Sequence, residues 1–242
     1  MNSQMTQPTP PMPLDHQPVP PRHSRISDDI AYILPMGIFL ALIFAGTKFP
    51  GGYPLYYALR TVATAIALFL LWRHYTKIRW NALWLGVVVG ILGTVQWIGR
   101  QLWLQKHFAF FSPPTDAFNP LQYFHNRTAL FCFIAVRMIG AVLVVPVMEE
   151  LFWRDYLWRQ ILAPNDFKLA AVGECSVVPF LIVSGAFATV HGNWWLTAIV
   201  WAIIVAGLLV YTKSLGACIV AHATTNLLLG IYVLLYHDWA FW

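Results

Sequence analysis

Apolar residues fill most of the chain in long runs that short polar stretches separate. Runs of about 17 to 25 mainly apolar residues are long enough to cross a bilayer as α-helix. The pattern therefore predicts an all-α polytopic membrane protein, a bundle of about seven to eight transmembrane helices. The predicted spans are residues 30–47, 55–72, 82–99, 128–158 (long and kinked), 171–190, 194–211 and 216–236.

The first 29 residues depart from this pattern. Seven prolines occur among the first 21 positions, and large apolar side chains are few. Such a segment cannot bury enough surface to fold, so residues 1–29 are predicted to be a disordered Pro-rich tail. Residues 30–242 are predicted to form a single transmembrane domain. No short apolar core with a small-residue cleavage site precedes the first span, which argues against a cleaved signal peptide.

Composition and charge narrow the class of protein. The chain is 59% hydrophobic and 10% charged, values outside the range of soluble domains. The net charge is +5, but the sequence has no cluster of basic residues interleaved with aromatic residues. Nucleic-acid binding is therefore not expected, and the charge is assigned to topology and to anionic lipid. The distribution of Lys and Arg favours a cytoplasmic N-terminus, because basic residues are enriched on the cytoplasmic side of membrane proteins. This orientation places eight on the cytoplasmic side (Arg22, Arg25, Arg73, Lys77, Arg79, Arg159, Lys168, Lys213) and four on the other side (Lys48, Arg100, Lys106, Arg127).

One connection, residues 100–127, is longer than the others. Pro113-Pro114 and Asn119-Pro120 mark turns in it, and it is rich in aromatic residues. Two interpretations remain for this segment. It is either a lid over an opening of the bundle or an aromatic connector at the membrane surface, and the second is favoured.

Two of the three glutamates of the chain stand side by side in an apolar run, at Glu149 and Glu150. On a helix their side chains diverge by about 100° and cannot face one partner. Arg154 follows Glu150 by four residues, the spacing and order of a Glu-to-Arg pair. Glu149 has no counter-ion in its own helix. An ionisable group of this kind inside a membrane indicates a functional site, with its partner on another helix.

Candidate partners lie on later apolar segments. Phe187 and His191 are four residues apart, as are His222 and Asn226, so each pair shares a helix face. The turn at residues 163–166 predicts a hairpin that returns His191 to the level of Glu149. A lone histidine or asparagine is more often an interhelical hydrogen-bond partner than a catalyst. Together with Glu149, these residues instead predict one polar site between three helices.

The residue types indicate amide hydrolysis without a covalent intermediate. A carboxylate can act as general base toward water, with a histidine to orient that water. An asparagine amide and an imidazole N–H can donate to the developing oxyanion. A zinc-dependent protease using the same residues is the alternative, although no H-E-x-x-H pair is present. Two other classes compete with an enzyme: a non-enzymatic membrane scaffold or immunity protein, and a transporter. A transporter is disfavoured because many transporters consist of repeated halves, and the sequence shows none.

The three motifs resemble a known family in their order. E-E-x-x-x-R at 149–154, F-x-x-x-H at 187–191 and H-x-x-x-N at 222–226 resemble the CAAX prenyl endopeptidase and bacteriocin-processing (CPBP) family of intramembrane glutamic endopeptidases. The resemblance covers residues 128–236. It implies that Glu149 and His191 activate water and that His222 and Asn226 form the oxyanion hole, without a cofactor. It also implies a membrane-associated or lipidated protein or peptide as substrate.

One departure and one narrower likeness accompany this resemblance. Members commonly have F-R-G at the end of the first motif, whereas this chain has Trp153-Arg154-Asp155, which puts substrate preference in doubt. The stretches DAFNP, HATTNLLLGIYVLL and DWAFW look like the bacterial CAAX protease-related proteins associated with exosortase and PEP-CTERM sorting systems. That likeness implies a bacterial inner (cytoplasmic) membrane.

Overall fold

The computed structural model describes residues 23–114 and 117–242, and these residues form an all-helical bundle. Pro, Gly, Asn and Ser residues in the connections end the apolar runs, so each run forms its own helix. A short helical turn, Pro120–Tyr123, lies in the long connection. The seven longer helices are α1 His23–Lys48, α2 Tyr53–Leu70, α3 Leu83–His107, α4 Arg127–Leu162, α5 Val177–Thr189, α6 Trp195–Thr212 and α7 Leu215–Tyr236.

The predicted fold class is confirmed, with one difference in helix length. Within the described residues, six helices are long and apolar enough to cross a membrane, and α5 is shorter. The predicted span 171–190 is shortened because residues 170–176 form turns, with Gly173 at a φ of 71°. The 13 residues of α5 extend only about 20 Å, less than the roughly 30 Å of a hydrocarbon core. His191, just beyond α5, lines a cavity between the helices.

The first helix begins earlier than predicted. Of the predicted tail, residues 1–22 lie outside the described residues, whereas residues 23–29 form the first turns of α1. Tyr32 of α1 is buried, and its hydroxyl donates to Asp155 Oδ2 of α4 at 2.6 Å. The same oxygen of Tyr32 accepts the Thr76 backbone N–H at 2.7 Å. The start of α1 is thus tied to α4 and to the α2–α3 connection.

Small residues allow α3 to pack closely on α6 and α7. A Cβ atom on Gly90 would lie 2.5 Å from Thr224 Cβ, and one on Gly93 would lie 2.1 Å from Trp201 Cζ3. Both distances are shorter than van der Waals contact, so only glycine fits at these two positions. This close approach holds Trp201 of α6, and the α7 face that carries Thr224, against α3.

The long connection packs on one end of the bundle. Phe111 lies near Trp195 at the start of α6, with ring centroids 6.3 Å apart. Phe118 contacts Tyr53 and Phe133, with centroid distances of 4.6 and 5.5 Å. These are ring contacts of the kind expected for an aromatic connector, and a role as lid stays a prediction. Residues 115–116 of the segment lie outside the described ranges.

Candidate active site

Glu150 and Arg154 form the ion pair that their spacing predicts. Arg154 Nη1 donates to Glu150 Oε1 at 3.1 Å, and both side chains are almost wholly buried. The Arg154 guanidinium also lies over the Phe187 ring, 4.7 Å from its centroid. A guanidinium in a low-dielectric interior is stabilised by both contacts. Glu150 and Phe187 therefore hold Arg154 from two helices.

Glu150 has a second partner that sequence spacing did not reveal. His222 Nδ1 of α7 lies 2.9 Å from the same Oε1 atom. Because that oxygen already accepts from Arg154, it acts as the acceptor here too, and Nδ1 of His222 carries the proton. The carboxylate of Glu150 thus orients the imidazole of His222 as well as the guanidinium of Arg154.

Glu149 points into a cavity instead. Its Oε2 atom is buried without a hydrogen-bond partner in the described part of the chain. The central cavity, as we name it, has a volume of about 120 Å³, more than one water molecule requires. Its lining brings all four predicted catalytic residues together: Glu149, His191, His222 and Asn226, with Trp97, Val145, Phe187, Trp201, Thr225 and Leu229.

His191 follows α5 directly, and its tautomer is set by the helix end. His191 Nδ1 lies 2.7 Å from the backbone carbonyl oxygen of Phe187. A carbonyl oxygen can only accept, so Nδ1 donates and Nε2 keeps its lone pair in the neutral ring. The imidazole packs on Phe187 at 4.4 Å and edge-on to Trp97 at 5.8 Å between centroids. His191 is therefore held with a basic nitrogen available.

Asn226 is positioned by an irregular turn in α4. Residues Gly140–Val144 are π-helical, and the Val145 N–H bonds to Gly140 O. The next residue, Pro146, has no N–H to donate, so Ala141 O is left for an acceptor role outside the helix. Asn226 Nδ2 donates to that carbonyl at 2.7 Å. An amide nitrogen carries two N–H groups, so one remains for a ligand in the central cavity.

The departure at Asp155 lies away from the central cavity. Asp155 is fully buried, pairs with Arg159 through Oδ1, and accepts from Tyr32 through Oδ2. It does not belong to the cavity lining. The larger, charged residue after Arg154 therefore fastens α1 to α4 and adds no charge beside Glu149.

Comparison with known proteins agrees with this geometry. Residues 131–228 match the family described as type II CAAX prenyl endopeptidase Rce1-like. Over these residues the chain is similar to the Rce1-like CAAX endopeptidase family, and the match covers 98 of its 242 residues. This is a family of proteases, so the chain is assigned to an enzyme class. All four predicted catalytic residues lie inside the matched region. No curated protein and no solved structure gives a match.

Five residues of the central cavity were not predicted from the sequence, namely Trp97, Val145, Trp201, Thr225 and Leu229. Thr225 precedes Asn226, and its hydroxyl donates to Gly90 O at 2.9 Å. Trp97 lies on α3, outside the region that matches the Rce1-like family. There was little indication of Trp97 in the sequence, because tryptophan is common in apolar helices.

Within the described residues, no group of three or more His, Cys, Asp or Glu side chains is arranged to hold a metal ion.

Proposed function

We propose that the protein is an intramembrane endopeptidase that cleaves a peptide bond of a membrane-associated or lipidated protein. The observation that carries this proposal is the central cavity, where Glu149, His191, His222 and Asn226 meet from α4, the α5 end and α7. The cavity gathers a carboxylate, two imidazoles and one amide, which are the groups that water-mediated amide hydrolysis requires.

In the proposed mechanism a water molecule lies between Glu149 and His191. Glu149 accepts one proton of the water while Nε2 of His191 accepts a hydrogen bond from the other. The water oxygen attacks the scissile carbonyl carbon, and the carbonyl π electrons move to its oxygen. Collapse of this tetrahedral intermediate expels the amine, which takes the proton from Glu149. No covalent bond to the protein forms, and the carboxylate is regenerated.

The developing oxyanion would be stabilised by Asn226 and His222. Asn226 supplies its second Nδ2–H group, since the first is bonded to Ala141 O. His222 donates to Glu150 through Nδ1, so donation to the oxyanion from Nε2 needs a doubly protonated ring. The Glu150 carboxylate compensates that positive charge. Glu150 thereby acts on the reaction through His222, as a positioning residue.

The finer assignment concerns the cell and the substrate. The protein spans a membrane through its long apolar helices, and we place it in a bacterial inner membrane with the N-terminus cytoplasmic. We assign it to the CAAX protease-related group that accompanies exosortase and PEP-CTERM sorting systems. The supporting stretches are DAFNP, HATTNLLLGIYVLL and the DWAFW ending.

The test of this function is mass spectrometry of the membrane peptidome. Cells with the wild-type chain are compared with cells carrying Glu149→Gln or Glu174→Gln. Glu174 is an exposed glutamate outside the central cavity, so the second variant makes the same chemical change elsewhere. New termini should depend on Glu149 alone. A scaffold, immunity protein or transporter would produce no termini that depend on Glu149.

Asn226→Ala should slow cleavage without abolishing it. Removal of one oxyanion donor typically lowers kcat by about 10² to 10³. Substrate binding should change little, because the donor acts mainly on the transition state. The measurement is kcat and KM for a membrane peptide with purified protein. Full activity of Asn226→Ala would remove Asn226 from the oxyanion site.

Activity should survive metal chelation. The four catalytic side chains supply a base and two donors without a need for a Lewis acid, so 1,10-phenanthroline should leave kcat within about twofold of the untreated value. The non-chelating 1,7-phenanthroline serves as the matched control. Complete loss that added Zn²⁺ restores, with near-stoichiometric bound zinc, would favour the zinc-dependent protease.

A further inference from the structure

A second cavity, which we name the basic cavity, lies at the bundle end where three helix connections meet. Its volume is about 610 Å³, and none of the four proposed catalytic residues lines it. The connections are those between α2 and α3, α4 and α5, and α6 and α7. Five cationic and two anionic side chains line it: Lys77, Arg79, Arg159, Lys168 and Lys213, with Asp155 and Glu174.

The carboxylates do not neutralise this cavity. Asp155 is fully buried and bonded to Arg159 and Tyr32. Lys168 is paired with Asp28, whose Oδ2 atom lies 2.6 Å from the lysine Nζ. Three cations remain without a carboxylate partner in the described ranges: Lys213, whose Nζ donates to the Gly173 carbonyl oxygen, and Lys77 and Arg79, which are exposed and whose side chains form no hydrogen bond there. The other lining carboxylate, Glu174, accepts from the Ala171 N–H. The cavity therefore has an excess of positive charge.

The backbone that carries Lys77 and Arg79 is held in place. Ser214 Oγ lies 2.8 Å from Arg79 O and 2.9 Å from Asn81 O. The Gly216 N–H also donates to Arg79 O, at 3.1 Å. At the other end of the segment, Arg159 Nη1 donates to Thr76 Oγ1 at 2.8 Å. The two free cations thus project from a segment whose position is fixed before any ligand binds.

An apolar groove continues from the basic cavity along the bundle. The groove has a volume of about 760 Å³ and shares Thr76, Lys77 and Ile78 with that cavity. Its other walls are mainly apolar and aromatic, and Trp72 and Trp80 are largely exposed in it. Tryptophan at such a helix end marks the membrane interface. A charged site and an apolar groove therefore meet at the depth where a lipid headgroup meets its acyl chains.

We propose that the basic cavity and the groove form a binding site for an anionic phospholipid. Lys77 and Arg79 bind the phosphate, and an acyl chain lies along the groove toward Val147 and Leu151 of α4. Basic sites between helix ends suit such headgroups, because the phosphate gains charge-assisted hydrogen bonds while the chain stays in an apolar environment. A phospholipid and free phosphate would both present a phosphate group to Lys77 and Arg79. The apolar groove favours the lipid, because only the lipid has an acyl chain to fill it.

The experiment is a lipid titration of purified full-length protein by native mass spectrometry. The probes are phosphatidylglycerol, phosphatidylethanolamine and inorganic phosphate. The variant is Lys77→Gln/Arg79→Gln, and the matched control is Arg100→Gln/Lys106→Gln, which removes two exposed cations near the other end of the bundle. A thermal midpoint measured without lipid shows that each variant is folded.

Wild-type and control proteins should bind phosphatidylglycerol equally and in preference to phosphatidylethanolamine. Each cation near an anionic lipid contributes about fivefold in affinity, so Lys77→Gln/Arg79→Gln should weaken phosphatidylglycerol binding roughly thirtyfold. Equal affinity of this variant and the wild type would overturn the site. Equal binding of phosphatidylethanolamine would overturn the choice of an anionic headgroup. Inorganic phosphate that binds as tightly as phosphatidylglycerol would overturn the lipid as ligand.

Discussion

Glu149→Gln is expected to abolish cleavage while the protein stays folded. Glu149 is the only carboxylate among the described residues that line the central cavity, and glutamine cannot take a proton from water. Loss of a general base lowers the rate by up to about 10⁴-fold. The thermal midpoint in detergent should stay equal or rise, because the change removes a buried charge without a hydrogen-bond partner at Oε2.

The measurement combines specific activity on a membrane peptide with thermal unfolding. Glu174→Gln is the matched control, since it replaces an exposed glutamate that the central cavity does not include. The control should keep wild-type activity, and a small fall in its midpoint would report only the hydrogen bond that Glu174 accepts from the Ala171 N–H. Residual activity of Glu149→Gln above about one tenth of the wild-type value would exclude Glu149 as the group that activates water.

Glu150→Gln is expected to act first on stability. Glu150 Oε1 accepts from Arg154 and from His222, so its loss leaves a guanidinium uncompensated in the interior. Breaking a buried pair in this way typically costs about 3 to 5 kcal/mol. The midpoint and the membrane yield should fall, and activity should fall with them, since His222 loses the partner that orients it.

A double-mutant cycle separates the pair from its surroundings. Arg154→Met removes the cationic partner of Glu150, but the hydrogen bond from His222 to Glu150 remains. The loss of unfolding free energy should therefore be smaller than for Glu150→Gln. Glu150→Gln/Arg154→Met leaves neither charge alone, and the two residues should show a coupling of about 1 to 3 kcal/mol. The measurement is thermal unfolding of the four proteins in detergent. If Glu149→Gln unfolds the protein while Glu150→Gln is stable and inactive, the two glutamates have been assigned the wrong way round.

Helical spacing accounts for what could be predicted about the site. Residues four apart on one helix share a face whatever surrounds them, so the Glu150–Arg154 pair was available from the sequence. The same rule turns Glu149 about 100° away from Glu150, and the structure places Glu149 in the central cavity. The approach of His191 to Glu149 could be expected from the hairpin turn at 163–166. Their catalytic roles remain proposals.

Other contacts depend on how helix faces meet, and spacing carries no information on that. His222 was expected near Glu149, yet its Nδ1 atom bonds to Glu150, because the rotation of α7 against α4 decides which carboxylate it reaches. The acceptor for Asn226 exists only because a π-helical turn and Pro146 free Ala141 O. Hydropathy alone did not show that turn, because π and α turns differ in the spacing of their backbone hydrogen bonds and not in their apolar character.

The sequence by itself determined that this protein has a membrane environment, that it is all-helical, and on which helix faces its polar residues lie. Those properties follow from apolar runs and from the fixed 3.6-residue period of one helix. The tertiary structure alone decided the short length of α5, the link from Tyr32 to Asp155 across 123 residues, and the basic cavity formed by three separate connections. Each of these depends on distances between segments that are far apart in the chain, and only packing sets such distances.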